Sequence, residues 1–134
     1  MKKILTVASA QEVPSSFPRK FLIEHFTDEK CIYCPGGMAA MVEYIQNTTT
    51  PCIWVSHHYG YENPDDYNIS ESAKIGKACG LSGVPNMAMN RTKITGTAIA
   101  FHPVYLLEDG MADLIAQKCA ATAEASVVIN HTYD

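Results

Sequence analysis

The chain has 134 residues, the size of one domain, and its hydrophobic fraction of 47% and charged fraction of 18% are those of a globular protein. Its net charge is −4 and its lysines and arginines are scattered, which argues against nucleic acid as a partner. No apolar run reaches the ~18 residues of a membrane-spanning helix, so the sequence predicts no transmembrane segment.

The first elements follow from the apolar pattern. Two lysines precede a short apolar run, which is too short for a secretory signal of ~15–30 residues, so we interpret residues 4–8 as a strand. Residues 21–26, FLIEHF, predict an inner strand. A helix follows, because four apolar residues share one helical face: Met38, Met41, Val42 and Ile45. Proline is tolerated only in a first turn, so Pro35 places the helix start near Cys34.

The middle of the chain continues this alternation. Residues 52–56 predict a second strand, and strand–helix–strand order implies a parallel pair with a right-handed crossover. Residues 70–79 predict a second helix. Residues 86–90 predict a short strand that forms an antiparallel hairpin with residues 94–98.

The chain ends with a change of pattern. Residues 109–123 predict a last helix, which completes a domain over residues 1–123. Residues 127–133 then alternate like a strand with little chain left to pair with. We interpret residues 124–134 as the start of a truncated β-rich domain or as an edge strand.

The chemical motif is Cys31-Ile32-Tyr33-Cys34, the only close pair among five cysteines. Such a pair is half of a zinc site, a structural disulfide or a redox-active dithiol. No second pair with zinc spacing occurs, and the order strand, motif, helix favours the redox interpretation.

The predicted helix start gives the two cysteines different roles. Unpaired N–H groups and the helix dipole stabilise a thiolate at a helix N-terminus, and Lys30 adds a positive charge beside it. Cys31 is therefore the candidate nucleophile. Cys34, inside the first turn, is the candidate resolving thiol.

The runs LIEHFTDEKCIYCP and GVPNMAMNR resemble the thioredoxin superfamily. More narrowly, they resemble the thioredoxin-like domain of the twenty-eight-kilodalton outer-membrane protein family of bacterial envelopes, over residues 19–123. The resemblance implies a thioredoxin-like α/β fold, with a central mixed sheet of four or five strands and helices on both faces. It also implies protein thiols and disulfides as partners, no cofactor or metal, and an extracytoplasmic location in the periplasm or at the outer membrane.

The resemblance also implies roles for residues around the dithiol. Pro85 is expected to follow a cis peptide bond and to pack beside the dithiol, with the Val84 backbone presented to a substrate strand; the alternative is an ordinary turn proline. His25 stands where thioredoxins carry a buried acid, with Glu24 beside it. Strand alternation sends these two side chains to opposite faces. His25 is either a base with a near-neutral pKa or a hydrogen-bonded core or surface histidine. Lys30 replaces the usual tryptophan.

The other cysteines and the His57–His58 pair each allow two interpretations. Cys52, Cys79 and Cys119 fit buried apolar positions, and a Cys79–Cys119 bridge is the alternative. His57 and His58 fit a loop edge, or else a copper(I) site with the dithiol.

The sequence leads to two functional hypotheses. The first is a thiol–disulfide oxidoreductase acting on secreted or envelope proteins. The second is a non-catalytic binding module of a larger outer-membrane-associated protein, with Cys31–Cys34 as an inert bridge. The sequence predicts neither the direction of catalysis, which depends on the redox potential, nor an oligomeric state.

Overall fold

A three-stranded mixed sheet forms the centre of the fold in the computed structural model, which describes residues 19–60 and 64–119. The strands are β1 (Phe21–Thr27), β2 (Cys52–His58) and β3 (Asn86–Met89). The sheet order is β2-β1-β3, with β2 parallel and β3 antiparallel to β1. The helices are α1 (Cys34–Asn47), α2 (Ser70–Cys79) and α3 (Met111–Cys119), and a 3-10 helix at Pro103–Leu107 precedes α3.

Helices cover both faces of β1. Alternate side chains of this central strand point in opposite directions, so each face contributes apolar residues to a separate cluster. Ile23 packs in a cluster with Met41 of α1 and Ile115 of α3. Phe26 packs in a second cluster with Cys79 of α2 and Ala88 of β3. The predicted thioredoxin-like α/β fold, with a mixed sheet between helices, is confirmed, although the described residues form three strands where four or five were expected.

The predicted strand at residues 94–98 is wrong. Gly96 has a φ of 62°, and the chain bends away from β3 after the turn at Asn90. Directly after this segment, the Ile99 and Ala100 N–H groups donate to the Cys79 carbonyl (3.1 and 2.8 Å), which attaches the chain to the end of α2. Two isolated bridges connect the chain after the turn to β3: Thr92 lies opposite Met89 and Phe101 lies opposite Met87. The predicted strands at residues 4–8 and 127–133 lie outside the described residues.

The helix boundaries agree with the sequence, but the buried face of α1 does not. α1 begins at Cys34, with proline in its first turn, and α2 occupies residues 70–79 as predicted. The described part of α3 lies within the predicted helix. On α1, however, Met38 and Val42 are exposed. The face that packs on the sheet contains Gly37, Ala40, Met41 and Tyr44, because the two small residues allow neighbouring segments to approach closely.

No helix among the described residues combines the length and the apolar character needed to cross a bilayer.

An ion pair ties the turn after β3 to the middle of β1. Asn90 and Arg91 both have left-handed φ values of about 50° (49° and 50°). The Asn90 side chain accepts a hydrogen bond from the Leu22 N–H (2.7 Å), in place of a further ladder bond. The turn directs Arg91 onto Glu24, whose two carboxylate oxygens accept from Nε (2.8 Å) and Nη2 (2.7 Å).

This ion pair predicts a stability effect. Glu24 is only 3% exposed, so Arg91→Ala leaves a buried carboxylate with His57 as its remaining side-chain partner. We expect a loss of about 2 kcal/mol in the free energy of unfolding, below the cost for a fully buried pair because Arg91 is half exposed. Urea denaturation measures it. Lys93→Ala removes an exposed cation from the same turn and is the control; equal effects of the two substitutions would contradict the prediction.

Candidate functional site

A disulfide joins Cys31 and Cys34 at the N-terminus of α1, with their Cα atoms 5.4 Å apart. The two cysteines differ in burial: Cys31 is half-buried, whereas Cys34 is 3% exposed. The intervening Ile32 and Tyr33 are 80% and 71% exposed. A reagent in solution therefore meets this bridge at Cys31.

Local backbone hydrogen bonds position the bridge between β1 and α1. The Cys31 N–H donates to the Asp28 carbonyl (3.2 Å), which closes a turn directly after β1. The Cys34 N–H donates to the Cys31 carbonyl (3.3 Å), and α1 then begins. Cys31 thus precedes the first turn of a helix, where the helix dipole and unpaired N–H groups favour a thiolate over a thiol.

Pro85 packs on the first turn of the same helix. The Val84–Pro85 peptide bond is cis, as the sequence resemblance implies, and Pro85 is buried while Val84 is half-buried. A Cβ atom added to Gly37 would lie 2.8 Å from Pro85 Cβ and 3.4 Å from Pro103 Cγ. The missing side chain at Gly37, three residues after Cys34, is what permits this approach.

Two adjacent glycines in α1 provide a test of this contact. Gly37→Ala forces the Pro85 ring away, and we expect it to lower the free energy of unfolding by roughly 1–3 kcal/mol. A Cβ atom added at Gly36 would meet nothing within 4 Å. Because alanine has the higher helix propensity, Gly36→Ala is expected to raise the free energy of unfolding by roughly 0.5–1 kcal/mol. Chemical denaturation of both variants measures the difference. The same sign for both would contradict the packing described above.

Glu24 and His25 lie on opposite faces of β1, as alternation predicts. Glu24 lies beside Ala88, whose cluster contains the α2 residue Cys79. The Arg91 hydrogen bonds outweigh burial and hold the Glu24 pKa below its usual value, with His57 Nε2 also contributing at 3.2 Å. Glu24 is thus an ionised structural carboxylate on the face away from α1.

His25 occupies the face that α1 covers. It pairs across the sheet with Met87, which packs with Met41 of α1. Its ring is 1% exposed and meets Trp54 edge-on, with centroids 5.8 Å apart, and neither ring nitrogen has a protein hydrogen-bond partner. Burial, assisted by the nearby His58, lowers the His25 pKa to about 4. Of the two alternatives for His25, the structure favours the core histidine, although without the expected hydrogen bond, over a base with a near-neutral pKa, because the site removes the ring from water without supplying a carboxylate.

The lowered pKa of His25 predicts a pH dependence of stability. Between its unfolded value of 6.5 and its folded value of about 4, the unfolded chain binds more protons, so stability falls as the pH falls. We expect His25 to account for a loss of about 2 kcal/mol between pH 7 and pH 5. Urea denaturation at both pH values should show a smaller loss for His25→Leu than for the wild-type chain. An unchanged loss in His25→Leu would contradict the assignment.

Lys30 contacts the neighbouring loop. Its Nζ donates to the Pro64 carbonyl at 2.8 Å and lies 3.2 Å from Glu29 Oε1. Its charge therefore serves partly to attach the turn before Cys31 to that loop.

His57 and His58 point to different faces of β2 and contact different carboxylates. His57 stacks on Phe26 and contacts Glu24, whereas His58 Nδ1 lies 2.8 Å from Asp65 Oδ2. The two imidazoles do not converge. In the described part of the chain, no group of three or more His, Cys, Asp or Glu side chains is arranged to hold a metal ion.

The other thiols occupy separate places. Cys79 packs in the cluster that contains Phe26, and Cys119 packs in the cluster that contains Ile23. The alternative bridge between the two thiols is not formed. Cys52, at the start of β2, is half-buried and donates to the Thr50 carbonyl (3.3 Å). Burial raises the pKa of both Cys52 and Cys79.

Sequence reasoning missed Gly37, Arg91 and Asp65. Asp65 lies in a loop rich in Gly, Asn, Asp and Pro, where an aspartate normally indicates a turn. Its burial comes from contacts with Glu29 and His58, which are distant in sequence. No local pattern indicates these contacts.

Comparison with known proteins supports the fold. The scan against protein-family models and the search of curated proteins found no match. Among solved structures, HBP35 of Porphyromonas gingivalis is similar with a TM-score of 0.56 and 18% identity, covering 78% of this chain. This chain spans 35% of the length of HBP35. A structural-genomics target from Agrobacterium tumefaciens gives a TM-score of 0.49 and 22% identity, covering 81% of this chain and 46% of that one. At such identity, the likeness to HBP35 concerns the fold alone.

Proposed function

We propose that this chain catalyses thiol–disulfide exchange on proteins through Cys31 and Cys34, in an extracytoplasmic compartment of a bacterium. One observation carries the proposal. The bridge lies between an inner strand and a helix N-terminus, with Cys31 reachable from solvent and Cys34 enclosed.

The difference in burial supports distinct roles for the two sulfurs. A partner sulfur approaching from solvent reaches Cys31 first, since Cys34 is 3% exposed. In the reduced state, the helix N-terminus favours ionisation of Cys31. The carboxylate of Glu24, whose negative charge would oppose a thiolate, lies on the other face of β1, and neutral His25 adds no charge of either sign.

The proposed exchange conserves electrons and protons. The Cys31 thiolate attacks one sulfur of a substrate disulfide, forms a mixed disulfide and expels the other sulfur as a thiolate, which takes up a proton. Cys34 then loses its proton and attacks Cys31 Sγ, which expels the second substrate thiolate and forms the Cys31–Cys34 bridge. Two electrons pass from the dithiol to the substrate, and the reverse sequence oxidises a substrate dithiol.

Surface chemistry near the bridge suits a polypeptide substrate. Ile32 and Tyr33 project into solvent, and Met38 is 43% exposed one turn into α1. These side chains offer apolar contacts next to Cys31. We include Val84 and Pro85 as the backbone segment that pairs with a substrate strand, a mode of recognition in which main-chain hydrogen bonds supply affinity.

Two considerations support the proposed compartment. Disulfides persist in oxidising compartments such as the periplasm, and the motifs resemble those of an outer-membrane protein family. A substrate pool of secreted or envelope proteins fits that location.

A trapping experiment tests the function. In Cys34→Ser the resolving thiol is missing, so mixed disulfides at Cys31 should accumulate when the variant is incubated with envelope proteins. Non-reducing gels and mass spectrometry identify the adducts. Cys31→Ser is the matched control and should form none.

The reduction potential of the wild-type pair completes the test. A bridge that exchanges with glutathione at a potential above about −300 mV supports catalysis. A bridge that resists reduction, together with no adducts in Cys34→Ser, would refute the proposal and favour the non-catalytic binding module.

A further inference from the structure

Asp65 is a buried carboxylate that joins three separate segments next to the bridge. Its side chain is 0% exposed. Asp65 Oδ2 accepts a hydrogen bond from the Glu29 N–H (3.0 Å) and lies 2.8 Å from His58 Nδ1. Asp65 Oδ1 accepts from the Tyr67 N–H (2.8 Å). One side chain thus connects the turn before Cys31, the end of β2 and its own loop.

A second contact between the turn before Cys31 and the described part of the loop comes from Lys30. Lys30 Nζ, which is exposed, donates to the Pro64 carbonyl. Within the turn, the Lys30 and Cys31 N–H groups donate to Asp28, to Oδ1 (2.8 Å) and to the carbonyl (3.2 Å). The bonds to Asp28 shape the turn, whereas the bond from Glu29 to Asp65 fixes it to the loop.

The carboxylate of Asp65 is ionised at neutral pH. Burial opposes ionisation, but hydrogen bonds from His58 and from the Tyr67 and Glu29 N–H groups outweigh it and lower the Asp65 pKa. An ionised carboxylate only accepts hydrogen bonds, and bonds to a charged acceptor are stronger than neutral ones. An ionised Asp65 side chain can therefore accept the hydrogen bonds of all three donors.

We propose that Asp65 is a positioning residue for the Cys31–Cys34 pair, whose carboxylate holds the turn before Cys31 in the geometry of the disulfide. This inference rests on the proposed thiol–disulfide function and adds what controls its equilibrium. Closing a bridge is favourable in proportion to how closely the two thiols are held together in the reduced state. α1 holds Cys34, and Asp65 holds the backbone two residues before Cys31.

We expect Asp65→Asn to lower the equilibrium constant for forming the Cys31–Cys34 disulfide. The asparagine side chain has an NH₂ group in place of one carboxylate oxygen, and this group cannot accept a hydrogen bond. At least one of the three contacts, with Glu29, His58 or Tyr67, is therefore lost. The reduced turn then samples more conformations, and the removed negative charge favours a thiolate nearby. Both effects stabilise the dithiol relative to the disulfide.

The experiment measures the equilibrium constant of the Cys31–Cys34 pair in glutathione buffers, or in dithiothreitol buffers if glutathione is too weak. For Asp65→Asn we expect the constant for disulfide formation to fall roughly threefold to tenfold, where tenfold corresponds to ~30 mV. Asp66→Asn is the matched control, because Asp66 is the exposed neighbour with the same charge. It should change the constant less than about twofold, given screening at an exposed site.

A purely structural role gives a different result. If Asp65 only stabilises the fold, both redox states lose stability equally, so the melting temperature falls while the equilibrium constant matches that of Asp66→Asn. That result overturns the proposal. If Asp65→Asn does not fold, His58→Ala replaces it; this variant keeps the bonds from Glu29 and Tyr67, so a smaller fall in the constant supports the proposal and no change overturns it.

The measurement separates this proposal from the proposed function. The equilibrium constant is defined whether or not the protein acts on other proteins. A shifted constant in Asp65→Asn with no adducts in Cys34→Ser retains the positioning role and refutes catalysis. An unshifted constant in Asp65→Asn with abundant adducts in Cys34→Ser refutes the positioning role and supports catalysis.

Discussion

The close contact between Gly37 and Pro85 is the constraint on which the arrangement of the site depends. The bridge lies at the N-terminus of α1, and α1 can lie against the segment before β3 only because residue 37 has no side chain. β3 in turn pairs with β1, the strand that leads to Cys31. One missing methyl group thus allows the helix that carries Cys34 and the strand that leads to Cys31 to share one core. The buried face of α1 follows from this contact, which is why Met38 and Val42 are left exposed.

Strand β1 carries two adjacent buried polar residues, and the fold accommodates them in opposite ways. Glu24 keeps its charge because Arg91 reaches it from a left-handed turn and His57 contacts it from β2. His25 loses its charge because its face offers Met87 and the edge of Trp54. The result is a charged group on the α2 face and a neutral one on the α1 face. The side of the sheet that carries the dithiol helix is therefore free of a β1 carboxylate, which suits a thiolate at Cys31.

The turn before Cys31 depends on a residue far along the chain. Its internal hydrogen bonds involve Asp28, but its attachment to the rest of the domain involves Asp65 and the Pro64 carbonyl. The helix N-terminus positions Cys34, whereas the turn that carries Cys31 is attached through the loop that contains Asp65. Under the proposed function, contacts outside the motif would therefore influence the pair as well as Ile32 and Tyr33.

The resemblance of two sequence runs to a known superfamily implied the class of fold. The sequence alone determined the strand–motif–helix order, the start of α1 at Cys34 and the extent of α2. These follow from local rules: apolar periodicity, the restriction of proline to a first turn and the alternation that separates Glu24 from His25. The tertiary structure decided what depends on residues distant in sequence. Residues 94–98 form no strand, and the next two residues, Ile99 and Ala100, donate to the Cys79 carbonyl at the end of α2, because the fold and not β propensity sets the hydrogen-bond partners there. The low pKa of His25 and the burial of Asp65 likewise depend on which groups surround them, because desolvation is a property of the assembled core.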